Sequence, residues 1–354
     1  MSNDIEKTAA NYLVRMSDIE PKAVKWLWPL WIPQGKITML RGNGGTGKTS
    51  FALKLASIVS NGGGLPMLQG NHGDHNNHDY SYHNVKPGNV LFISAEDDLA
   101  DTIAPRLISY GANMDRVFAY RESTEQKLQY TSELFEQLIW EAQPSLILVD
   151  PVQGFFGGAD MNRANHVRPI MTHLRILAEK YNCAMVLIEH LTKSGRSGGF
   201  HRGLGSIDIT SAARSVLMLG NDPNNSEERG VCQIKGNLGY MPGVIGFSIT
   251  DEGFDWNPDT YLTPDIIEGR HNKKDLMHVM SALEDAKDFL CDILSEGAQL
   301  CADVELEARQ SGISQKTLRR AREALKVVVI RQGFGTPASW VLPNTISPKD
   351  NQNT

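Results

Sequence analysis

A glycine-rich segment close to the N-terminus constrains the fold more than any other part of the sequence. Residues 41–50 read RGNGGTGKTS, which fits the spacing G-x4-G-K-T. A strand-like apolar run at 36–40 precedes it, and a helical pattern at 51–59 follows. Glycines let successive backbone N–H groups surround an anion that larger side chains would obstruct. The segment therefore predicts a phosphate-binding loop between a buried strand and a helix.

A loop of this kind predicts ATP and Mg²⁺ as cofactors. The helix that follows adds its positive N-terminal end to the N–H groups of the loop. We expect Lys48 to reach the β- and γ-phosphate oxygens and Thr49 to ligate Mg²⁺. The alternative is a glycine-rich turn with an incidental Lys-Thr pair. The residues predicted to bind the nucleotide are Gly42, Asn43, Gly44, Gly45, Thr46, Gly47, Lys48, Thr49 and Ser50.

Two further apolar runs end in acidic residues. The run LILVD at 146–150 places Asp150 at a strand end, where it is predicted to hold the metal together with Thr49. In LFISAEDD at 91–98, Glu96 is the candidate general base that orients the attacking water. The carboxyl ends of parallel strands share one edge of a sheet, so both acids should face the phosphate loop. The alternative for the acids of the second run is that they only cap the next helix.

Short apolar strands alternate with helical patterns between about residues 25 and 257. This alternation predicts an α/β domain with a mostly parallel, twisted sheet that helices cover on both faces. The polar stretch 258–280 has no clear period and is predicted to be a linker. The strand-like runs lie at 36–40, 89–94, 145–149, 184–188 and 215–219, with hairpin-like stretches near 231–235 and 244–250. The helical patterns lie around 98–110, 131–142 and 165–181.

Residues 281–345 are predicted to form a small winged helix-turn-helix domain. Three helical patterns are followed by two strand-like runs that would form the wing hairpin. The two ends of the chain, 1–24 and 346–354, are predicted to be an N-terminal extension and a tail. The helical patterns lie at 284–294, 303–310 and 314–325, and the strand-like runs lie at 327–330 and 339–342.

Composition limits where this chain could bind nucleic acid. It has 354 residues, of which 41% are hydrophobic, and its formal net charge is −6. A chain of this length buries a sizeable core, and its acidic balance confines nucleic-acid binding to local patches. One patch lies at 313–331, where six basic residues accompany a single acid. It predicts DNA contact, with protein contact as the alternative. The residues predicted to contact DNA there are Lys316, Arg319, Arg320 and Arg322.

Three further features bear on location and metal binding. No apolar run approaches the roughly 20 residues of a membrane span and no signal-peptide region is present, which predicts a cytoplasmic protein without a membrane partner. The four cysteines lie far apart and are predicted to be buried free thiols. The histidine-rich stretch 69–83 is surrounded by Asn, Gly and Asp, which favours a flexible polar insertion over a metal site. Its histidines are His72, His75, His78 and His83.

Six short motifs follow one another along the first 250 residues. In chain order they are GNGGTGKT at 42–49, FISAEDD at 92–98, LILVDP at 146–151, IEHLTK at 188–193, RGLGS at 202–206 with AARSV at 212–216, and KGNLG at 235–239. Together with the lead-in WLWPLWIPQGKIT at 26–38, this order resembles the RecA-like ATPases of the RepA type. Those proteins are hexameric replicative helicases of plasmids and phages. The chain departs from them at Glu189, because they tend to carry two histidines where this chain has Glu189 and His190.

The resemblance implies a RecA-like P-loop NTPase core that forms a homo-oligomeric ring, expected to be a hexamer. It also implies single-stranded DNA and replication-initiation or primase proteins as partners. Arg214 would be an arginine finger that acts on the ATP of a neighbouring subunit, and Lys235 would be a second cation acting in trans. His190, at a strand end beside the phosphate site, is the candidate γ-phosphate sensor. The alternatives are a structural histidine and surface salt bridges for the two cations.

Residues 191–205, LTKSGRSGGFHRGLG, combine five glycines with the cations Lys193, Arg196 and Arg202. In a ring of RecA-like domains this segment resembles the central loop that holds single-stranded DNA, since cations there contact phosphates. The alternative is a surface loop without a ligand. We therefore predict a DNA-dependent ATPase that translocates on single-stranded DNA as a replicative helicase. An ATP-dependent loader or regulatory switch without unwinding activity is the first alternative, and a small-molecule phosphotransferase is the second.

Overall fold

The computed structural model shows a large α/β part and a small C-terminal part. In the residues that it describes, no helix has the length and apolar character needed to cross a membrane. The structure describes residues 13–69, 79–122, 127–190, 207–225, 227–257, 260–270, 273–295, 297–331 and 338–343.

A mixed sheet, nine-stranded in the described residues, forms the centre of the α/β part. Up to residue 257 the strands are β1 (Trp26–Trp28), β2 (Ile32–Pro33), β3 (Ile37–Gly42), β4 (Gly64–Gln69), β5 (Asp79–Asn84), β6 (Asn89–Ser94), β7 (Val117–Ala119), β8 (Pro144–Asp150), β9 (Ala184–His190), β10 (Ser215–Asn221), β11 (Glu228–Gly236), β12 (Ile245–Thr250) and β13 (Gly253–Asn257). Their order across the sheet is β13-β12-β11-β10-β3-β9-β8-β6-β7. The strands from β10 to β7 in this order are parallel, and β11, β12 and β13 extend one edge antiparallel. The predicted mostly parallel α/β sheet is confirmed.

Helices cover both faces of this sheet. The helices of the α/β part are α1 (Lys48–Asn61), α2 (Ala104–Ser109), α3 (Glu133–Ala142), α4 (Ala164–Lys180), α5 (Ile207–Ala212) and α6 (Pro264–Ile267). Phe51 of α1 belongs to one buried cluster, whereas Phe135 of α3 and Leu174 of α4 belong to another. Successive residues of β3 belong alternately to the two clusters: Met39 belongs to the second and Leu40 to the first. This alternation follows from the pleat of a strand that is buried on both faces.

Regular structure extends into the histidine-rich stretch 69–83. The strands β4 and β5 form a two-stranded antiparallel ribbon, in which His83 pairs with Leu65. Leu65 is buried in the same cluster as α1. The prediction of a flexible insertion is therefore wrong for the part of the stretch that belongs to β5, because β4 supplies a pairing partner for its polar residues. Outside the described residues lie His72, His75 and His78.

The segment predicted to be a linker, 258–280, contains regular structure. Residues 260–270 include α6, which packs against β10 and β11. Leu262 and Ile266 are buried there in one cluster with Cys232. The linker prediction is wrong for these residues. Their few apolar side chains anchor a single helical turn, which is too short to show a helical period in the sequence.

The C-terminal part contains three helices and a three-stranded antiparallel sheet in the residues that the structure describes. Its elements are α7 (Lys273–Ile293), β14 (Gln299–Leu300), α8 (Cys301–Gln310), α9 (Gln315–Ala324), β15 (Val328–Ile330) and β16 (Ser339–Val341). Leu290, Leu318 and Trp340 meet in its core. The hydroxyl of Ser314 accepts the N–H of Thr317 and caps α9, as its position in the sequence predicts. The first of these helices begins inside the predicted linker.

An aromatic cluster fixes β1 to the α/β core. Trp28 is fully buried and stacks on Trp31, with the ring centroids 4.9 Å apart. Its ring also lies 5.7 Å from that of Trp256 in β13. The indole N–H donates to the carbonyl oxygen of Pro66 at 2.8 Å. Because this large side chain is buried with its polar atom satisfied, it contributes strongly to stability.

We expect Trp28→Ala to lower the free energy of unfolding by about 3–5 kcal/mol, because the substitution leaves a cavity in the core. Urea denaturation followed by circular dichroism measures the change. The matched control is Trp140→Ala, since Trp140 of α3 is 59% exposed. The control should change the free energy of unfolding by less than about 0.5 kcal/mol. Equal losses in the two variants would contradict the packing described for β1.

Candidate active site at the phosphate loop

The chain turns from β3 into α1 through the glycine-rich loop. Gly42 ends the strand and Lys48 begins the helix. Gly47, directly before the helix, has a φ of 81°, which residues with a Cβ rarely adopt. A Cβ on Gly42 would lie 2.8 Å from the carbonyl oxygen of Leu219 in the neighbouring strand β10. Gly47 is therefore required by its backbone conformation, and Gly42 is required because there is no room for a Cβ.

The ammonium group of Lys48 lies inside this loop. Lys48 is 4% exposed, and its Nζ donates to the carbonyl oxygens of Gly42 and Asn43 at 2.9 Å each. Burial lowers the pKa of this ammonium, and the negative charges of Asp150 and Glu96 oppose that change. The cation thus lies at the N-terminal end of α1, where the helix also favours negative charge. The loop is suited to bind an anion with several charges.

Adjacent strand ends bring acids and a histidine to the loop. The parallel strands β3, β9, β8 and β6 are neighbours in the sheet, so their carboxyl ends share one edge. The hydroxyl of Thr49 donates to Oδ2 of Asp150 at 2.6 Å. Nε2 of His190 lies 3.4 Å from Oε2 of Glu96 and 3.8 Å from Oδ1 of Asp150. The structure therefore brings together four residues that the sequence placed in four separate motifs.

The donor set at Asp150 fits a magnesium ion. Asp150 is 3% exposed, and its Oδ1 has no hydrogen-bond partner within the part of the chain that the structure describes. A buried carboxylate oxygen without a partner is unfavourable, so this atom is suited to a cation. Candidate ligand atoms of Glu96, Asp150 and His190 lie within 4.8 Å of one another. Because Mg²⁺ prefers oxygen ligands, Thr49 and Asp150 fit the ion, and His190 does not.

The acids after β6 differ in their surroundings. Asp98 accepts the N–H groups of Ala100 and Asp101 and caps the helical turn that precedes α2. This capping is the alternative that the sequence left open for these acids. The carboxylate of Glu96 lies beside His190 and is 57% exposed, so water can reach it. Glu96 and Asp98 therefore have different contacts within one short segment.

Arg214 lies at the end of the sheet opposite to the phosphate loop. It is exposed and directly precedes β10, whose first residue, Ser215, pairs with Thr38 of β3. Thr38 precedes Gly42 by four positions, which corresponds to about 13 Å along a strand. That distance exceeds the reach of one arginine side chain. Arg214 therefore cannot contact a phosphate group bound in the loop of its own chain.

Lys235 holds the end of α5. Its Nζ donates to the carbonyl oxygens of Thr210, Ser211 and Ala213 at 3.1, 3.0 and 2.9 Å. A cation at the C-terminal end of a helix satisfies carbonyl groups that have no partner within the helix. Burial lowers the pKa of Lys235, and the positive charge of Arg214 adds to this lowering. Lys235 therefore fixes the backbone directly before Arg214.

The residues predicted to contact DNA have different surroundings. The guanidinium of Arg320 lies 4.8 Å above the ring of Tyr261, and that of Arg322 lies 5.0 Å above the ring of Trp340. Arg319 is partly buried in the same helix. A basic helix face therefore packs partly against aromatic rings of the chain itself, which a pattern of charges does not reveal. Outside the described positions lie Lys193, Arg196, Arg202 and the side chain of Lys316.

Three charged residues near the loop were not predicted. Arg41 and Glu189 form a buried ion pair beside it. Arg229 of β11 lies next to the start of α1, since a Cβ on Gly47 would be 3.4 Å from its Cδ. Arg41 and Glu189 could have been found from the sequence, because each is a charged residue at the end of an apolar strand-like run. A lone arginine in a hairpin strand gave no comparable signal for Arg229.

A comparison with protein families agrees with this geometry. A family model described as an AAA domain matches residues 6–196, more than half of the 354-residue chain. The matched region contains the phosphate loop, Glu96, Asp150 and His190. No curated protein matches the sequence.

We expect Asp150→Asn to reduce the Mg²⁺-dependent part of ATP affinity by at least about tenfold, a loss typical of a perturbed metal site. The physical reason is that the buried carboxylate loses its charge. Titration of a fluorescent ATP analogue with Mg²⁺ or with EDTA measures the difference. Asp98→Asn is the matched control, because asparagine also caps a helix. An unchanged response to Mg²⁺ in Asp150→Asn would contradict the metal assignment.

Proposed function

The chain belongs to the AAA-domain family, which indicates an ATPase, and on this premise we propose that it is a DNA-dependent replicative helicase. The proposed form is a homo-oligomeric ring, expected to be a hexamer, that translocates on single-stranded DNA. ATP hydrolysis in loops at the subunit boundaries would drive the movement. Replication-initiation or primase proteins are its proposed partners.

The side chains around the loop suit the hydrolysis of a nucleoside triphosphate. Bound Mg-ATP supplies the phosphoanhydride bond and the metal charge. Lys48 and the loop N–H groups would bind the phosphate oxygens, while Thr49 and Asp150 would hold the metal. Glu96 is accessible to solvent and is proposed to accept a proton from the attacking water. His190, between Glu96 and Asp150, is proposed to donate a hydrogen bond to the γ-phosphate.

The position of Arg214 is the observation that carries the ring proposal. An exposed guanidinium that cannot reach the loop of its own chain could stabilise the charge of a bound triphosphate only at the loop of a second copy. Such a head-to-tail contact joins two different surfaces of the same chain, and repetition of that contact closes a ring when the rotation permits. Lys235 supports this geometry, because it fixes the backbone that leads to Arg214.

Chain connectivity supports a coupling between nucleotide and DNA. The segment 191–206 joins His190 to α5, and the end of α5 leads to Arg214. A change at the phosphate site that moves His190 therefore displaces one end of this segment. The cations of the segment suit the phosphates of single-stranded DNA. Because Arg320 packs against Tyr261, we assign the main DNA contact to 191–205 rather than to α9.

We expect Arg214→Ala to lower ATP turnover by about 10³-fold or more, since arginine fingers contribute about 10³–10⁵ to the rate. Its ATP affinity should change little, because Arg214 is remote from its own loop. Lys48→Ala should also abolish turnover. An equimolar mixture of the two variants should recover activity, because an interface can then combine an intact loop with an intact arginine. Phosphate release measures turnover, and a mixture as inactive as its components would contradict the action in trans.

Single-stranded DNA should stimulate ATP turnover, and combined alanine substitution of Lys193, Arg196 and Arg202 should abolish the stimulation while leaving basal turnover intact. The control exchanges an equal number of exposed cations outside both predicted DNA-binding segments, Lys86, Arg121 and Lys127, for alanine. Stimulation in the wild type should weaken with rising salt, because DNA binding releases counterions.

A fork-unwinding assay with the same proteins then separates the helicase from its alternative. Turnover that responds to DNA without strand separation would favour an ATP-dependent loader or regulatory switch. Turnover that does not respond to DNA would contradict the DNA-dependent ATPase.

A further inference from the structure

A buried ion pair connects the strand before the phosphate loop with the strand that ends at His190. Arg41 and Glu189 pair in register in the adjacent parallel strands β3 and β9, and Nε of the arginine lies 2.6 Å from Oε2 of the glutamate. Their side chains are 1% and 2% exposed. The next residues in the two strands, Gly42 and His190, also pair in register. The pair is therefore one residue away from two components of the candidate active site.

The pair lies on the sheet face that is turned away from α1. Side chains alternate between the two faces along a strand. In β3 and β9, Leu40 and Ile188 belong to the cluster under α1, whereas Met39 and Leu187 belong to the cluster under α3 and α4. The next positions, those of the ion pair, return to the second face. The charges are thus near the nucleotide site but do not face it.

Stability alone does not account for this pair. Burial raises the pKa of the Glu189 carboxyl, and the charge of Arg41 opposes the rise. Removing both charges from water costs about as much free energy as their attraction returns, and an apolar pair of similar volume is often equally stable or more stable. In some proteins, buried polar or ionic groups instead favour a single arrangement of the elements that carry them. If β9 were displaced along β3, the two charges would stay buried but would no longer lie next to each other.

We propose that Arg41 and Glu189 are positioning residues that hold His190 at a fixed place relative to the phosphate loop. The carbonyl oxygen of Gly42, next to Arg41, accepts a hydrogen bond from Lys48. His190, next to Glu189, lies beside the acids of the site. The ion pair therefore sets the position of the imidazole relative to the loop and its ammonium. The inference rests on the proposed ATPase function.

The test exchanges both charges for apolar side chains. A single substitution removes one partner of a buried ion pair and destabilises the fold, so the informative variant is Arg41→Met combined with Glu189→Leu. Its thermal midpoint should equal or exceed that of the wild type. Its Kd for ATP should stay within about twofold, while kcat should fall by about 100-fold, the loss caused by a misplacement of about 1 Å. Calorimetry, nucleotide titration and phosphate release measure the three quantities.

The matched control is a second ion pair at the other end of β3. Nζ of Lys36 lies 3.7 Å from Oε1 of Glu179, and the two side chains are 29% and 47% exposed. Lys36→Met combined with Glu179→Leu should leave kcat unchanged. Adding His190→Ala to the variant without the buried pair should cause little further loss, because the pair acts through that histidine. A folded variant with wild-type kcat, or a full multiplicative loss with His190→Ala, would overturn the proposal.

A second measurement separates this inference from the proposed function. Hydrogen–deuterium exchange of residues 184–190 is compared with ADP and with a non-hydrolysable ATP analogue. The wild type should show a difference between the two nucleotides, and the variant without the buried pair should show none. If the wild type does not hydrolyse ATP, the proposed function fails, but this comparison still decides the role of the pair. Equal differences in both proteins would overturn the positioning role.

Discussion

The hydrogen bond from Thr49 to Asp150 is the contact on which the candidate site depends. At 2.6 Å it joins the first turn of α1 to the end of β8, two elements that are far apart in the sequence. The contact forms because parallel strands direct their carboxyl ends to one edge, where the loop after β3 also lies. It positions the buried Oδ1 of Asp150, which has no hydrogen-bond partner among the described residues, near Glu96 and His190. One bond thus links the phosphate loop to the acids.

The sequence predicted those features that depend on local pattern and on strand direction. Continuous apolar runs and a glycine-rich loop were sufficient to place Lys48, Thr49 and Asp150 at one site, since the parallel topology determines where strand ends meet. The local sequence also predicted that Ser314 caps a helix. The helix α6, within the predicted linker 258–280, could not be predicted by local rules. It is stabilised by burial against β10 and β11 rather than by its own periodicity.

Charged residues were the features that the sequence described least well. A pattern of charges gives their number and spacing but not the groups that they contact. Arg320 belongs to a basic helix face, yet its guanidinium lies above an aromatic ring. Lys235 belongs to a sequence motif, yet its ammonium donates to three carbonyl groups. The ion pair of Arg41 and Glu189 becomes visible only when the register of β3 and β9 is known. Contacts between distant segments decide these cases.

The position of Lys48 has a further consequence for ligand choice. Its ammonium has three N–H groups and donates to two carbonyl oxygens of the loop in the described residues, so it can also donate to an oxygen of an incoming anion. A small anion with one or two negative charges can pair with this ammonium but contacts only part of the loop. A triphosphate chain also contacts the N–H groups and the helix end, and it carries more charge. The loop therefore favours a long, highly charged anion over a small one.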